Sequence, residues 1–351
     1  MSRRDGAPDL LRRIAERRRE RLAEHRSGLP EPAAMAATVE WHAAASGSAA
    51  LDDAASEPLT PRDNAFLAAL AGWPAPATTA PPAAASTSSQ ASTSSQASAA
   101  SQASAASPDS ASASPPAAPP AHPGRRAHPA IIAEVKMGSP RLGSLRERVD
   151  PLAQARIYAA NGAAALSVVV EPDFFFGSYE LLAACRAASG LPAVAKDFVV
   201  DPLQLAWARS AGADAVLLIA ALYEPEELAA YARLARGLGL APLIEVHDGA
   251  DVAALAGEPW ELVGVNNRDL RTFEVDLERS VALVPALPPA ALKVAESGIR
   301  DALDVALLTE SGFDAMLIGE SLLLAADPAA TLRALRGVGG EDGAVRGARG
   351  D

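Results

Sequence analysis

Cysteine, aromatic side chains and histidine are all scarce in this chain of 351 residues, which has a single cysteine, 4% aromatics and five histidines. With Cys185 alone, no internal disulfide and no thiolate metal cluster can form. No run of 18 apolar residues occurs, so a hydrophobic membrane-spanning helix is excluded. The opening stretch MSRRDGAPDLLRRIAERRRERLAEH lacks the apolar centre of a signal peptide, which gives the expectation of a soluble, cytoplasmic protein with no membrane partner. Excess positive charge is missing as well. A formal charge of −12 argues against nucleic acid as a partner, although local Lys, Arg and backbone N–H groups can still hold a small anion.

Residues 1–73 read as a helical N-terminal extension. Leu10, Leu11, Ile14, Arg18 and Leu22 recur at helical spacing, with RRRER filling the other faces. A charge run of this kind reads as a solvated face; the functional alternative is a helix packed across the mouth or side of the main domain. PRDNAFLAALAG predicts a second, short helix from near Pro61. From 74 to 129 the chain is rich in Ala, Ser and Pro, repeats ASTSSQ in tandem, and contains no Val, Ile, Leu or aromatic residue. Such a segment buries too little to offset its ordering entropy, so a disordered insert is expected there, and a flexible tail over 337–351.

Residues 130–336 alternate regularly. AIIAEV, AALSVVV, PAVAK, AVLLIA, APLIEV, ELVGVN, LKVAE and AMLIG read as strands, with helical segments such as PLAQARIYAANG and DPLQLAWARSAG between them. Eight strands joined by crossovers long enough for helices predict an α/β fold, a closed (β/α)8 TIM barrel. An open doubly wound sheet is the alternative, disfavoured because no GxGxxG follows the first strand.

Polar residues interrupt these strands at their C-terminal ends: Glu134 and Lys136, Lys196, Glu245, Asn266 and Glu296, with Arg268 two residues beyond Asn266. Any one of them reads equally well as a solvated loop residue. Together, at equivalent positions of a barrel, they form a polar rim suited to proton transfer on an anionic substrate. After the last two strands, Ser297, Gly298 and Gly319 stand in turns, with a short helix from near Glu320; backbone N–H groups there suit a phosphate, and Ser321 is a further candidate donor. His247 alone of the histidines follows a strand and has no second imidazole at ligand spacing. It reads as a turn residue or one packed behind the site rather than as a metal ligand.

The phrases IIAEVKMGSP, EPDFFFGSYELL, LPAVAKDFVVDP, LIEVHD, VGVNNRDLRTFEVDL, VAESGI and LIGESLL occur in that order, and with them residues 130–335 resemble the indole-3-glycerol phosphate synthase family. The resemblance implies closure, decarboxylation and dehydration of 1-(2-carboxyphenylamino)-1-deoxyribulose 5-phosphate, with no cofactor and no metal. By the same resemblance Lys196 is the general acid and Glu245 the general base. Lys136 engages the anthranilate carboxylate, and Glu134 and Asn266 orient the substrate. Arg268, Glu296, Phe175, Phe198 and Leu270 fall to substrate binding, and Ser139, Ser297, Gly298, Gly319 and Glu320 to the phosphate. Where the family usually continues SPS, a basic residue and Gly, this chain has SPRLG, so Arg141 replaces a serine and Leu142 the basic residue. A monomer or weak dimer acting on a small phosphorylated substrate is expected.

Two other readings are open on these residues. A phosphoribosylanthranilate isomerase would want a cysteine at the first strand and an aspartate near the sixth, where this chain has Glu134 and Asn266. A barrel kept only as a scaffold, with the insert as a tether, has no need of Lys136, Lys196 and Glu245 together. Deleting the segment from Thr78 to Ala121 should leave both turnover and urea stability nearly unchanged, because it has no apolar side chains to give to a core. A loss of several kcal/mol in unfolding free energy would show instead that the insert packs.

Overall fold

Short apolar runs, each broken by a turn, form the eight parallel strands of a closed barrel in the computed structural model, which describes residues 8–28, 58–72, 129–269 and 272–337. The strands are β1 Ala130–Val135, β2 Ala165–Val169, β3 Ala193–Lys196, β4 Ala215–Ile219, β5 Ala241–Val246, β6 Leu262–Asn266, β7 Leu292–Glu296 and β8 Ala315–Ile318. Each pairs with its neighbours in sequence, and β1 closes on β8 through Ala130↔Ala315 to Ala133↔Ile318. An open sheet is thereby excluded. The insert expected over 74–129 lies, but for its last residue, outside the described residues, as do the tail beyond 337 and Leu270.

Aspartates set where several of the helices begin. Asp150, Asp248, Asp276, Asp301 and Asp327 each stand one residue before a helix and accept backbone N–H groups of its first turn. Each such cap contributes about 1 kcal/mol and fixes where a strand-to-helix loop ends. The helices so started are α3 Pro151–Ala160, α7 Gly249–Ala253, α8 Leu277–Leu283, α9 Ala302–Glu310 and α11 Pro328–Leu335. Ser178 caps α4 Tyr179–Ser189 in the same way, while α5 Leu203–Ser210, α6 Pro225–Gly237 and the single turn α10 Glu320–Leu323 complete the set after β3, β4 and β8.

Among the described residues, two helices precede the barrel. In α2, Ala65–Ala71, the start falls four residues later than the proline at 61 suggests, because Pro61–Asp63 form a turn and Asn64 takes the cap, accepting from Phe66 and Leu67. Its Nδ2 also donates to the carbonyls of Asp214 and Gly239, 2.7 and 3.0 Å away, just before β4 and β5. This places α2 against the N-terminal ends of the strands, away from the rim. In α1, Asp9–Gly28, Leu11, Ile14, Ala15 and Leu22 are buried as the spacing requires. Arg18 shares that buried stripe, as its spacing from Ile14 and Leu22 requires. It is buried, with Nε 3.1 Å and Nη2 2.6 Å from the carboxylate of Asp197, which also accepts from Tyr179 and Gln204.

Removing one partner of a buried pair strands the other charge, so Arg18→Met should cost about 3 kcal/mol in urea unfolding, with part recovered in the Arg18→Met/Asp197→Asn double variant. A change within about 0.5 kcal/mol for the single variant would mean that Tyr179 and Gln204 alone satisfy Asp197.

Candidate active site

Alternation along β1 and the turn after it sends Glu134 and Lys136 to one side of the strand, and Lys136 Nζ lies 2.9 Å from Glu134 Oε1. Barrel closure brings the ends of β3, β5 and β7 to the same place. Lys196 Nζ is 2.7 Å from Glu296 Oε2, 3.7 Å from Glu134 Oε2 and 4.0 Å from Glu245 Oε2. Asn266 donates from Nδ2 to Glu245 Oε1 at 3.2 Å, and through its own Oδ1 accepts the backbone N–H of Arg268 at 3.0 Å. The six strand-end residues predicted as a polar rim therefore make one connected cluster around the Lys196 ammonium.

The charges balance locally. Glu134, Glu245 and Glu296, all buried, face Lys136, Lys196 and His247, whose Nε2 lies 3.2 Å from Glu245 Oε1. Burial works against ionisation of Glu134, yet Lys136 and Lys196 outweigh it and hold the carboxyl below its usual range. Glu245 is driven down to about 2 against the same burial, by His247 first and then Lys196 and Asn266. Glu296 goes the other way. Burial, helped by the nearby Glu245, outweighs Lys196 and pushes its carboxyl up to about 7.

Lys196 itself corrects a simple expectation. A desolvated lysine beside other cations titrates low, but burial here is outweighed by Glu296, Glu134 and Glu245, which raise its pKa well above the ordinary value. The ammonium is thus kept protonated by its neighbours.

Two glycines make room for the carboxylates. A Cβ on Gly264, within β6, would stand 2.2 Å from Glu296 Oε1, and one on Gly319 would stand 2.4 Å from Glu134 Oε1. Gly319 reads from the sequence as part of a phosphate cradle through its backbone, and the nearest atoms to its missing side chain belong to Glu134. Gly264 was not singled out at all, although a glycine inside an apolar strand is itself a sign of close approach.

The loops after β2 and β3 supply the aromatic side. Phe175 and Phe198 lie with ring centroids 5.9 Å apart at 31°. Behind them, the fully buried Glu171 accepts the backbone N–H groups of Asp173, Phe174 and Phe175 at 2.7–2.9 Å, so an internal carboxylate shapes the loop that carries Phe175. Over the turn between β8 and α10, Glu320 takes Arg141 on one oxygen and Arg268, at 3.3 Å, on the other. Arg141, displaced by one place in sequence, is thereby returned to the rim beside Arg268. Ser297 and Gly298 both have left-handed backbones, with φ of 67° and 79°. Ser139 Oγ accepts the N–H of Leu142 within the short hairpin after β1, and Ser321 donates its hydroxyl to the carbonyl of Ile299, so Ser321 is already engaged. A separate cleft of about 510 Å³ under α1, lined by Arg18, Leu22, Tyr179 and Trp207, includes none of the strand-end carboxylates.

The family model for indole-3-glycerol phosphate synthase matches residues 92–335. The chain belongs to that family. It is similar to the indole-3-glycerol phosphate synthase of Azoarcus sp. (strain BH72), at 48% identity over 60% of this chain and 80% of the relative. The enzyme of the same name from Rhodopirellula baltica is 47% identical over 58% of this chain and 79% of its own length. Among solved structures, a 3-hexulose-6-phosphate synthase from Salmonella typhimurium aligns over 59% of this chain and 97% of its own, with a TM-score of 0.48 and 14% identity. The protein is accordingly a lyase of the indole-3-glycerol phosphate synthase family, of tryptophan biosynthesis. Among the described residues no helix is long and apolar enough to cross a membrane. The α1 and α2 helices lie ahead of the residues matched to the synthase family, yet α1 reaches Asp197, the residue next to Lys196.

Because Gly319 abuts Glu134, Gly319→Ala should lower kcat by about tenfold, some 1.4 kcal/mol of transition-state stabilisation, while inhibition by inorganic phosphate stays near wild type. Weakened phosphate inhibition at unchanged kcat would show that the added methyl disturbs the backbone of the turn rather than Glu134.

Proposed function

We propose that this chain converts 1-(2-carboxyphenylamino)-1-deoxyribulose 5-phosphate into indole-3-glycerol phosphate, CO2 and water by general acid/base catalysis on the strand-end cluster. The observation that carries the reading is the Lys196 ammonium set among Glu296, Glu134 and Glu245, with Lys136 paired to Glu134 alongside. Membership of the family supplies the substrate class.

The ring carbon that bears the carboxylate attacks the ketone, forming the new C–C bond, and the ketone oxygen takes the Lys196 proton. Breaking the C–CO2 bond returns its electron pair to the ring and restores aromaticity. The hydroxyl so formed then leaves as water, taking a second proton, while Glu245 removes a proton from the carbon next to nitrogen. Lys196 starts charged and Glu296 titrates near neutrality beside it, so a donor that has given up its proton has a neighbour able to replace it. Lys136 takes the anthranilate carboxylate, with Phe175 and Phe198 beside the ring. The phosphate goes to the turns of Ser297, Gly298 and Gly319, with Arg268 and Arg141 near by and Glu320 and Ser139 at the border. Glu134 and Asn266 orient the chain between these ends. Fixing a flexible chain at both ends contributes up to about 7–11 kcal/mol to the rate in ideal cases.

The two lysines separate the roles. Lys196→Ala should abolish turnover and leave binding of a product analogue nearly intact, whereas Lys136→Ala should damage both. Lys196→Arg should also fail, since a guanidinium with a pKa above about 12 does not give up its proton. Steady-state kinetics with direct binding checks this. A Lys196→Arg enzyme within about tenfold of wild-type kcat would move the general acid to Lys136.

A further inference from the structure

Of the charged groups in the cluster, His247 has no part in the reaction as written, yet it is the cation nearest to Glu245. We propose that His247 is a positioning residue: an imidazolium held between Asp251 and Glu245, it keeps the carboxylate of Glu245 ionised and aimed. The inference rests on the reading of Glu245 as general base.

Glu245 and His247 are two residues apart at the end of β5, so their side chains fall on the same side, opposite the fully buried Val246. His247 Nε2 is 3.2 Å from Glu245 Oε1, and Nδ1 is 3.5 Å from Asp251 Oδ2. The same Oδ2 accepts the backbone N–H of His247 at 2.8 Å, so one carboxylate oxygen meets both the main chain and the ring. Asp251 is held in turn. It lies in the first turn of α7, where its own N–H is bonded to Asp248, and it is buried. Nε2 is buried with no aligned hydrogen-bond partner, which makes its relation to Glu245 one of charge and contact rather than of a directed bond.

The remaining charges come from two other strands. Lys196 on β3 stands 4.0 Å from Glu245 Oε2, and Glu296 on β7 lies on the far side of that ammonium, 2.7 Å from it. Burial disfavours the imidazolium, but Asp251 and Glu245 outweigh it and raise His247 to about 10. His247 in turn is foremost among the groups that lower Glu245. The signs follow. A raised histidine gives stability that is complete below its ordinary pKa near 6.5 and is lost as pH rises through about 10. A lowered glutamate gives stability that is complete above 4.5 and is lost as pH falls through about 2. Between those limits neither group changes charge.

Taking away His247 leaves the buried Glu245 with Lys196 as its cation, and that ammonium is shared with Glu296 and Glu134. The base then protonates at higher pH. Taking away the charge of Asp251 leaves Glu245 to hold the imidazolium, so the imidazolium is lost at lower pH.

The test is the pH dependence of kcat/KM for the full chain and its His247→Gln, Asp251→Asn and Glu245→Gln variants, assayed by formation of the fluorescent indole. In His247→Gln the acid limb should move up by about one pH unit or more, with kcat staying below wild type at alkaline pH, where the ionised carboxylate is no longer aimed, and KM little changed. In Asp251→Asn the alkaline limb should move down by a similar amount, about one unit. A role limited to holding the loop predicts lower unfolding midpoints and a uniform loss of rate with both limbs in place, and that result overturns the inference. If His247→Gln does not fold, Asp251→Asn decides alone, an unmoved alkaline limb counting against. Glu245→Gln separates the two levels: an active Glu245→Gln overturns the base assignment and this inference with it. An inactive one, with unmoved limbs in the other two variants, overturns this inference only.

Discussion

The ammonium of Lys196, 2.7 Å from one buried carboxylate and within 4.0 Å of two more, is the contact on which the rest of the rim depends. An isolated carboxylate taken out of water costs several kcal/mol even after the protein relaxes around it, and three together also repel one another. Barrel closure leaves no freedom to spread them, because the register fixes Glu245 opposite Gly264 and Asn266 opposite Glu296. The cluster is therefore paired throughout, with Lys136 on Glu134, Lys196 on Glu296, and His247 and Asn266 on Glu245. The glycines at 264 and 319 follow from the same constraint, since the space a side chain would need is occupied by the carboxylates of Glu296 and Glu134.

A buried network of this kind is also a functional state. Glu245 is held ionised, Glu296 is brought near neutrality and Lys196 is kept protonated, so groups of one type are pushed to different pKa values by what surrounds them. A fixed array of charge needs no reorganisation as the reaction proceeds, which is the condition under which electrostatics accelerates a step most.

The barrel was legible because each strand carries its own signal. AIIAEV, APLIEV and LKVAE are strands over the residues quoted, and the polar residues that end them meet where a closed barrel requires. Local patterns reported local structure well. They failed where two distant stretches meet. Arg18 stands at the helical spacing of Ile14 and Leu22, but the partner that lets its charge be buried, Asp197, is 179 residues away. Glu171 looks like a loop residue, and its hydrogen bonds run back into its own loop, a conformation that periodicity does not encode. The direction of the Lys196 shift is hidden from the sequence for a related reason: which charges surround a strand end depends on side-chain reach across the barrel, not on the order of residues along a strand. Gly319 shows the same limit, since its turn suggests an anion at the backbone while the sequence does not show that the place of its missing side chain is taken by Glu134.

Asp197 shows how finely the two halves of the design are kept apart. It is the acid nearest in sequence to Lys196, and a fourth carboxylate on that ammonium would compete with Glu296, Glu134 and Glu245. Instead its two oxygens are taken up by Arg18, Tyr179 and Gln204, with the N–H of Phe198 on Oδ1. Arg18 brings the neutralising charge from α1, outside the span matched to the family. The pair thus does two things at once. It docks the N-terminal helix through a charge that has no better partner, and it fixes the backbone beside Lys196 without lending that lysine another anion. A buried ion pair adds little net stability over an apolar contact of the same shape, so its value here lies in placement. Lys196 can be aimed by the strand and clamped by its neighbour because the neighbour's charge is satisfied elsewhere.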